Sequence, residues 1–249
     1  MAMESDDKYL RPRYLSVLER LETAVCHSGR RKEDVTLVAV SKLHPASMVA
    51  AVCALGQIDF GENYVQEAME KRAEIEAMDR PRTIRWHMIG HVQSRKASIV
   101  AGAFDLIHSL DSIHLATALE KHCAVKNAKQ KVLIEVNVGE EPQKTGVEMK
   151  DLDWLAADVI EKCPHLELQG LMCIPPVYNA GAAARPYFAR LRELRDKLSA
   201  STGLALPHLS MGMSGDFEWA IEEGATFVRV GTDIFGPRPP KKILIFIDS

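Results

Sequence analysis

The chain has 249 residues, 47% of them hydrophobic and 26% charged, with a formal net charge of −3. This composition is typical of a globular protein, and without a long basic run it argues against nucleic acid as a partner. The five cysteines form no C-x-x-C pair, so they predict neither a zinc site nor a disulfide framework and favour a reducing, cytoplasmic setting. No apolar run reaches the roughly 18 residues of a membrane span, and the N-terminal segment lacks the apolar core of a signal peptide, so we expect no membrane segment.

The chain opens with a predicted helix at about 7–28, where apolar residues recur at spacings of three and four and Gly29 follows. After it, short apolar runs alternate with amphipathic segments. The runs predict eight strands, at 35–41, 58–61, 85–89, 106–109, 132–138, 166–174, 208–211 and 226–230. Helices are predicted between them, at 45–56, 64–78, 93–102, 112–124, 151–162, 184–200 and 214–224. No helix is expected after the last strand, where Pro237, Pro239 and Pro240 crowd the chain.

This alternation predicts an α/β fold with a parallel sheet and helices outside it. Eight strand–helix units in about 200 residues favour a single (β/α)8 TIM barrel over about 35–240, with an extra N-terminal helix. The whole chain, 1–249, is then a single domain with a short tail at 241–249 whose role the pattern does not assign. An open doubly wound sheet is the alternative, which the absence of G-x-G-x-x-G after the first strand disfavours.

The first strand ends on a lysine, in the stretch VTLVAVSKLHP from Val35 to Pro45. An ammonium at the end of a buried strand is costly unless it is paired, solvated or deprotonated. Lys42 is therefore either a surface residue just past the strand end or an amine held for covalent chemistry.

Polar residues and glycines gather where the other apolar runs stop, the ends at which TIM barrels carry their active sites. Barrels often bind phosphate with the loops after strands seven and eight, which here are MGMSGD and the pair Gly231–Thr232. We expect Ser214 to cap the helix that follows and its first amides to face an anion. Taken singly, each loop also fits an ordinary turn with a helix cap.

Arg229 interrupts the last apolar strand, and strand alternation places it on the face opposite Val228 and Val230. A guanidinium there needs a partner, either a buried carboxylate or a ligand that offers an anion or a ring nitrogen. A lysine, a phosphate cup and this arginine together suit pyridoxal 5′-phosphate (PLP). A Schiff-base aldolase that uses Lys42 on a sugar phosphate is the weaker alternative.

From about residue 8 to 240 the chain resembles the pyridoxal phosphate homeostasis protein family. The matching segments are VAVSKLHP, DFGENYVQEAMEK, RWHMIGHVQSRK, VLIEVNVGEEPQKTGV, LQGLMCIPP, RPYFARLRELRDKL and LSMGMSGDFEWAIEEGATFVRVGTDIFGPR. The resemblance implies the fold of the alanine racemase N-terminal domain, a barrel of the fold-type III PLP proteins.

Site residues follow from the same resemblance, motif by motif. It implies a Schiff base between PLP and Lys42, with Lys144 as the second candidate lysine, and Arg229 facing the pyridine nitrogen. The ring would lie near Asn63, His87, Ile89 and Met172, and the phosphate near Ser210, Met211, Gly212, Met213, Ser214, Gly231 and Thr232. We expect no metal site, because the strand around His87 and His91 does not suit an HExxH helix.

The implied function is to carry and buffer PLP for vitamin B6 homeostasis and to supply apo PLP-dependent enzymes, as a monomer or weak dimer, without turning amino acids over. A ring nitrogen facing Arg229 must accept a hydrogen bond, so it stays unprotonated and the ring is a poorer electron sink. In alanine racemase the second acid–base group comes from an added β domain, which we do not expect here. An amino-acid racemase or decarboxylase is the competing function.

Overall fold

A computed structural model describes residues 2–78 and 83–237 of the chain. Eight parallel strands pair in sequence order and close into a barrel, with β8 hydrogen-bonded to β1. The strands are β1 Thr36–Val40, β2 Asp59–Glu62, β3 Arg85–Met88, β4 Leu106–Leu110, β5 Gln130–Glu135, β6 Leu166–Met172, β7 His208–Met213 and β8 Phe227–Val230. The predicted TIM barrel is therefore confirmed, and the predicted tail at 241–249 lies outside the described residues.

Helices surround this barrel in the described part of the chain. They are α1 Ala2–His27, α2 Ala46–Ala54, α3 Val65–Glu76, α4 Ala97–Val100, α5 Ile113–Lys126, α6 Leu152–Lys162, α7 Arg185–Thr202, α8 Phe217–Glu222 and α9 Thr232–Phe235. The extra helix α1 packs on the outside of α2, α8 and α9, and its buried face includes Leu10, Val17 and Leu21. None of the described helices is long and apolar enough to cross a membrane.

The barrel interior is packed with side chains rather than open. Val38, Leu106, Leu133, Met172 and Phe227 form a cluster of their own, separate from the larger core between strands and helices. Alternate residues of a strand point to opposite faces, and β1, β4, β5, β6 and β8 contribute the residues of the inner cluster. The packed interior separates two cavities, one at each mouth of the barrel.

The structure differs from the predicted helices in three places. The segment at 93–102 divides into a 3₁₀ turn at Ser94–Lys96 and the single turn of α4. A short helix, α9, follows β8 where none was expected. The helix predicted from 214 begins only at Phe217.

The cap predicted at Ser214 is wrong. The N-cap residue of α8 is Asp216, and its Oδ1 accepts a hydrogen bond from the backbone N–H of Met213 at 2.6 Å. This bond closes a turn at residues 214–216 between β7 and α8, so Ser214 lies in the turn directly after the strand and not at the helix start. Asp216 occupies the N-cap position without a side-chain cap hydrogen bond, and since aspartate and serine are both preferred there, sequence spacing did not distinguish them.

Candidate functional site

A cavity of about 230 Å³ opens at the carboxyl ends of the strands. Its walls are Val40, Lys42, His44, Asn63, Ile89, Ile174, Met213, Ser214, Gly215, Arg229, Gly231 and Thr232. Eight of these are predicted site residues, namely Lys42, Asn63, Ile89, Met213, Ser214, Arg229, Gly231 and Thr232. They come from five strand ends that are far apart in the sequence, and the closed barrel brings them around one space.

The backbone around Lys42 is held by charged side chains of α3. Lys71 Nζ donates to the carbonyl oxygen of Ser41 at 2.8 Å, and the backbone N–H of Leu43 donates to Glu67 Oε1 at 2.5 Å. Leu43 has φ +64°, a left-handed conformation that is unfavourable for leucine. The contacts on both sides of Lys42 therefore fix a turn that would not persist without them.

Glu62 of β2 bonds two of the residues around this turn, Ser41 and Lys71. Its fully buried carboxylate accepts from Ser41 Oγ at 2.6 Å and from Lys71 Nζ at 2.5 Å. Burial raises the pKa of Glu62, and the attraction of Lys71 offsets only part of that effect. Sequence reasoning missed Lys71, although the Glu67–Lys71 spacing of four within GENYVQEAMEK was a signal for a helical ion pair.

Arg229 is almost completely buried, at 4% exposure. Its Nη1 donates to Ser210 Oγ at 2.6 Å, and its Nη2 donates to the carbonyl oxygen of Cys173 at 2.9 Å. Burial lowers the pKa of Arg229, but a guanidinium remains charged in proteins. No ion pair of the described residues includes Arg229, so the carboxylate partner considered from the sequence is not found in this part of the chain.

A hydrogen-bonded chain runs from Arg229 through the barrel interior. Ser210 Oγ lies 2.7 Å from His108 Nδ1, His108 Nε2 lies 2.9 Å from His87 Nδ1, and His87 Nε2 lies 2.9 Å from Asp59 Oδ1. Burial, followed by the nearby positive charge of Arg229, holds the pKa of His108 well below its ordinary value, so His108 is neutral. Every group is satisfied if the donors point from Ser210 towards Asp59.

Five predicted site residues do not line the cavity: His87, Met172, Ser210, Met211 and Gly212. His87 shares a strand face with Ile89 but lies one repeat deeper, about 6.6 Å along the strand, and it borders a second cavity at the opposite mouth. Met172 is likewise one repeat below Ile174 and belongs to the packed interior. Ser210 is committed to Arg229 and His108.

Met211 and Gly212 serve the packing of β7 against the helices. Met211 is fully buried in the outer core. Gly212 has φ +91°, and a Cβ atom there would come within 2.5 Å of Ala220 Cβ and 2.9 Å of Phe217 Cα. The glycine thus allows the close approach of α8 to β7.

Four residues of the cavity were missed from the sequence: Val40, His44, Ile174 and Gly215. His44 stacks on Phe235 with ring centroids 5.3 Å apart, and its position two residues after Lys42 was the available signal. Lys144, the second candidate lysine, is not a cavity residue and pairs with Glu141 Oε2 at 2.5 Å. The described residues contain no cluster of three or more His, Cys, Asp or Glu side chains that could hold a metal ion.

Asn63 lines the cavity and has an unsatisfied side-chain oxygen. Its Oδ1 atom is buried and has no hydrogen-bond partner among the described residues. The loop after β3 packs directly on Asn63, since a Cβ atom at Gly90 would lie 2.4 Å from the Asn63 carbonyl oxygen. Glycine is therefore required at position 90 for the backbone approach that fixes Asn63 at the cavity wall.

Comparison with known proteins identifies the class of this barrel. The family model of the alanine racemase N-terminal domain matches residues 19–239. An alanine racemase of Clostridium difficile 630 shares the fold at 14% identity, with a TM-score of 0.72 over 93% of this chain and 57% of that one. The chain is thus an alanine-racemase-like TIM barrel.

Curated relatives narrow this class to a family. A pyridoxal phosphate homeostasis protein of Aquifex aeolicus is 45% identical over 89% of this chain and 95% of its own length. One of Escherichia coli is 40% identical over 91% and 95%. The solved structure of PipY from Synechococcus elongatus, described with PLP bound, is 35% identical, with a TM-score of 0.76 over 87% of this chain and all of that one. The chain belongs to the pyridoxal phosphate homeostasis protein family.

Proposed function

We propose that this chain binds PLP in the cavity at the carboxyl ends of the strands and holds it for delivery to apo-enzymes, without turning amino acids over. The observation that carries the proposal is the convergence of Lys42, Arg229 and the two loops with Ser214 and Thr232 on one space. The names of the relatives and the PLP reported in PipY support the choice of ligand.

The residues fit the group. A cavity of about 230 Å³ lies just below the roughly 300–1,000 Å³ of sites for drug-sized ligands, which suits a single substituted ring. Among the described residues, the Ser214 and Thr232 hydroxyls make no hydrogen bond to another protein group, so both are available to a phosphate. Asn63, whose buried Oδ1 has no partner among the described residues, lines the same cavity.

When bound, PLP supplies an aldehyde that condenses with an amine and absorbs light in the near ultraviolet and visible. Lys42 would provide that amine, and the turn held by Lys71 and Glu67 would keep it at the mouth of the barrel. Arg229 would direct its remaining N–H groups to the ring nitrogen as donors, because a guanidinium accepts no proton. Ser214 and Thr232 would donate to the phosphate.

The test of the covalent attachment is the absorbance spectrum of Lys42→Ala with PLP. We expect the visible band and borohydride-trappable label to disappear while circular dichroism is unchanged. Lys144→Ala is the matched control, and it should keep both signals. A full, trappable band in Lys42→Ala, with the label mapped to Lys144, would contradict the assignment.

Racemisation is the second candidate function, and one observation keeps it testable. His44 lies at the same cavity as Lys42, and racemisation needs acid–base groups on both faces of the substrate carbon. We expect no racemase or decarboxylase activity above background with L- or D-amino acids. Sustained turnover that is lost in both Lys42→Ala and His44→Asn would establish the enzyme instead.

Delivery is tested by mixing the PLP-loaded protein with an apo PLP-dependent enzyme and following recovery of that enzyme's activity. Both the PLP-loaded protein and an equal amount of free PLP are tested in the presence of a phosphatase that hydrolyses free PLP. Recovery of enzyme activity should be greater with the PLP-loaded protein. We also propose that the protein acts in the cytoplasm as a monomer or weak dimer. The thiols Cys123, Cys163 and Cys173, which are buried and form no disulfide, support the reducing compartment.

A further inference from the structure

The added helix α1 reaches the two loops of the proposed phosphate site from behind. Arg20 of this helix makes three side-chain hydrogen bonds. Its Nε donates to Glu218 Oε1 at 2.7 Å, its Nη1 to Asp233 Oδ2 at 2.6 Å and its Nη2 to the carbonyl oxygen of Ser214 at 3.1 Å. Ser214 and Glu218 flank the turn after β7, whereas Asp233 follows β8. One guanidinium therefore joins two loops that are separate in the sequence.

Further contacts of α1 hold the same loops. The Arg20 guanidinium lies over the ring of Phe217, 4.6 Å from its centroid. Arg13 Nη2 donates to the carbonyl oxygen of Thr232 at 2.9 Å. Helix α1 thus contacts the carbonyl oxygens of Ser214 and Thr232, and both residues also line the cavity.

The pairing of the strands does not by itself fix the spacing of the two loops. The register of β7 with β8 shifts between Ser210 and Met213, and the chain then leaves the sheet through the turn at 214–216. The carboxylates of Glu218 and Asp233 lie beside these loops and would repel an anion bound there. Arg20 links the loops and compensates one of the two negative charges.

We propose that Arg20 is a positioning residue for the phosphate end of the site, so that α1 forms part of the ligand-binding apparatus. This inference rests on the proposed function, because it concerns the same two loops. It assigns to Arg20 the recognition of phosphate on the ligand, through the spacing and charge of the loops, and not the binding of the ring.

The experiment compares the dissociation constants of PLP and of pyridoxal, which lacks the phosphate. In Arg20→Ala we expect PLP affinity to fall about tenfold, the effect of losing one hydrogen bond to a charged group. Pyridoxal affinity should change less than about twofold. The ratio of the two constants is the readout, because general destabilisation would weaken both ligands alike.

Arg30→Ala is the matched control. Arg30 follows α1 and also makes three hydrogen bonds, through Nη1 to the carbonyl oxygens of Ile221 and Ala225 and through Nη2 to that of Asp34. It ties down the far end of α8 and has no hydrogen bond to the two loops. We expect it to lower the unfolding temperature and to leave the PLP-to-pyridoxal ratio at the wild-type value.

A second measurement uses the protein without ligand. Amide hydrogen exchange in 213–217 and 231–235 should be faster in Arg20→Ala than in the wild type, and unchanged in Arg30→Ala. If Arg20→Ala does not fold, Arg20→Lys serves for both measurements, because it keeps the positive charge but offers one nitrogen in place of the three that bond Glu218, Asp233 and Ser214.

The outcomes separate the two proposals. A wild-type protein that binds pyridoxal as tightly as PLP would contradict the proposed phosphate site itself. A wild type that prefers PLP, with the same preference in Arg20→Ala and unchanged exchange in both loops, would overturn only the role of Arg20. A reduced preference with faster loop exchange, absent from Arg30→Ala, is the result that supports it.

Discussion

Replacing His108 by leucine tests the hydrogen-bonded chain that supports Arg229 inside the barrel. His108 is fully buried and lies between Ser210 and His87. Leucine fills much of the same space but offers neither nitrogen. Ser210 Oγ then loses the acceptor for its proton, and His87 Nδ1 loses its donor, in side chains that are 0% and 3% exposed.

The magnitude follows from these two orphaned groups. A buried polar group left without a partner costs about 1–3 kcal/mol, so the two together should cost about 2–6 kcal/mol of unfolding free energy. That is a large fraction of the roughly 5–15 kcal/mol that stabilises a typical protein. The double variant His87→Leu/His108→Leu should be less destabilised than the sum of the single variants, because their shared bond is lost only once.

Urea unfolding followed by circular dichroism measures these differences, with His114→Leu as the control. His114 is exposed on α5, and its replacement should change stability by no more than about 0.5 kcal/mol. If the free energy of unfolding of His108→Leu lies within about 1 kcal/mol of the wild-type value, with an unchanged dependence on urea, the hydrogen-bonded chain of side chains is not a fully satisfied buried network.

Three further predictions concern pH, packing and ligand affinity. Burial lowers the pKa of His108 in the folded state, so below a pH of about 6.5 the unfolded chain binds a proton at His108 that the folded protein does not bind. The free energy of unfolding should therefore fall on acidification by up to about 1.4 kcal/mol per pH unit. His108→Leu should reduce this slope, measured by urea unfolding between pH 5 and about 6.5. Gly90→Ala should lower the free energy of unfolding by about 1–3 kcal/mol and weaken PLP binding, since the added Cβ would overlap Asn63. A PLP dissociation constant equal to that of the wild type, measured by calorimetric titration, would argue against that contact. Alanine at both Ser214 and Thr232 should weaken PLP binding by about 1.5–3 kcal/mol per lost bond and spare pyridoxal, and equal losses for both ligands would contradict the assignment.

The alternation of short apolar runs with amphipathic segments was enough to predict the eight strands and the closed barrel. The signal is local, because a strand buried on both faces must be apolar along its length and a helix outside the barrel needs one apolar side. The residues just past the strand ends were predictable for the same reason. Lys42, Ser214 and Gly231 stand where apolar runs stop, and a barrel brings such positions to one mouth.

Depth within the barrel could not be predicted from the pattern. Alternation indicates on which face of a strand a side chain lies, but not whether the residue lies at the mouth of the barrel or two residues deeper along the strand. His87 and Ser210 therefore looked like cavity residues, whereas the structure has them bonded to His108 in the interior.

By itself, then, the sequence determined the barrel, the end that carries the site and the lysine, arginine and loop residues gathered there. Only the tertiary structure decided which polar groups hold them. Lys71 supports the backbone beside Lys42 from 29 residues away, and Arg20 reaches Ser214 from 194 away. Such pairings depend on the stagger of the strands and on where each helix packs, because a hydrogen bond requires approach within about 3 Å, and no local periodicity of the sequence encodes that distance.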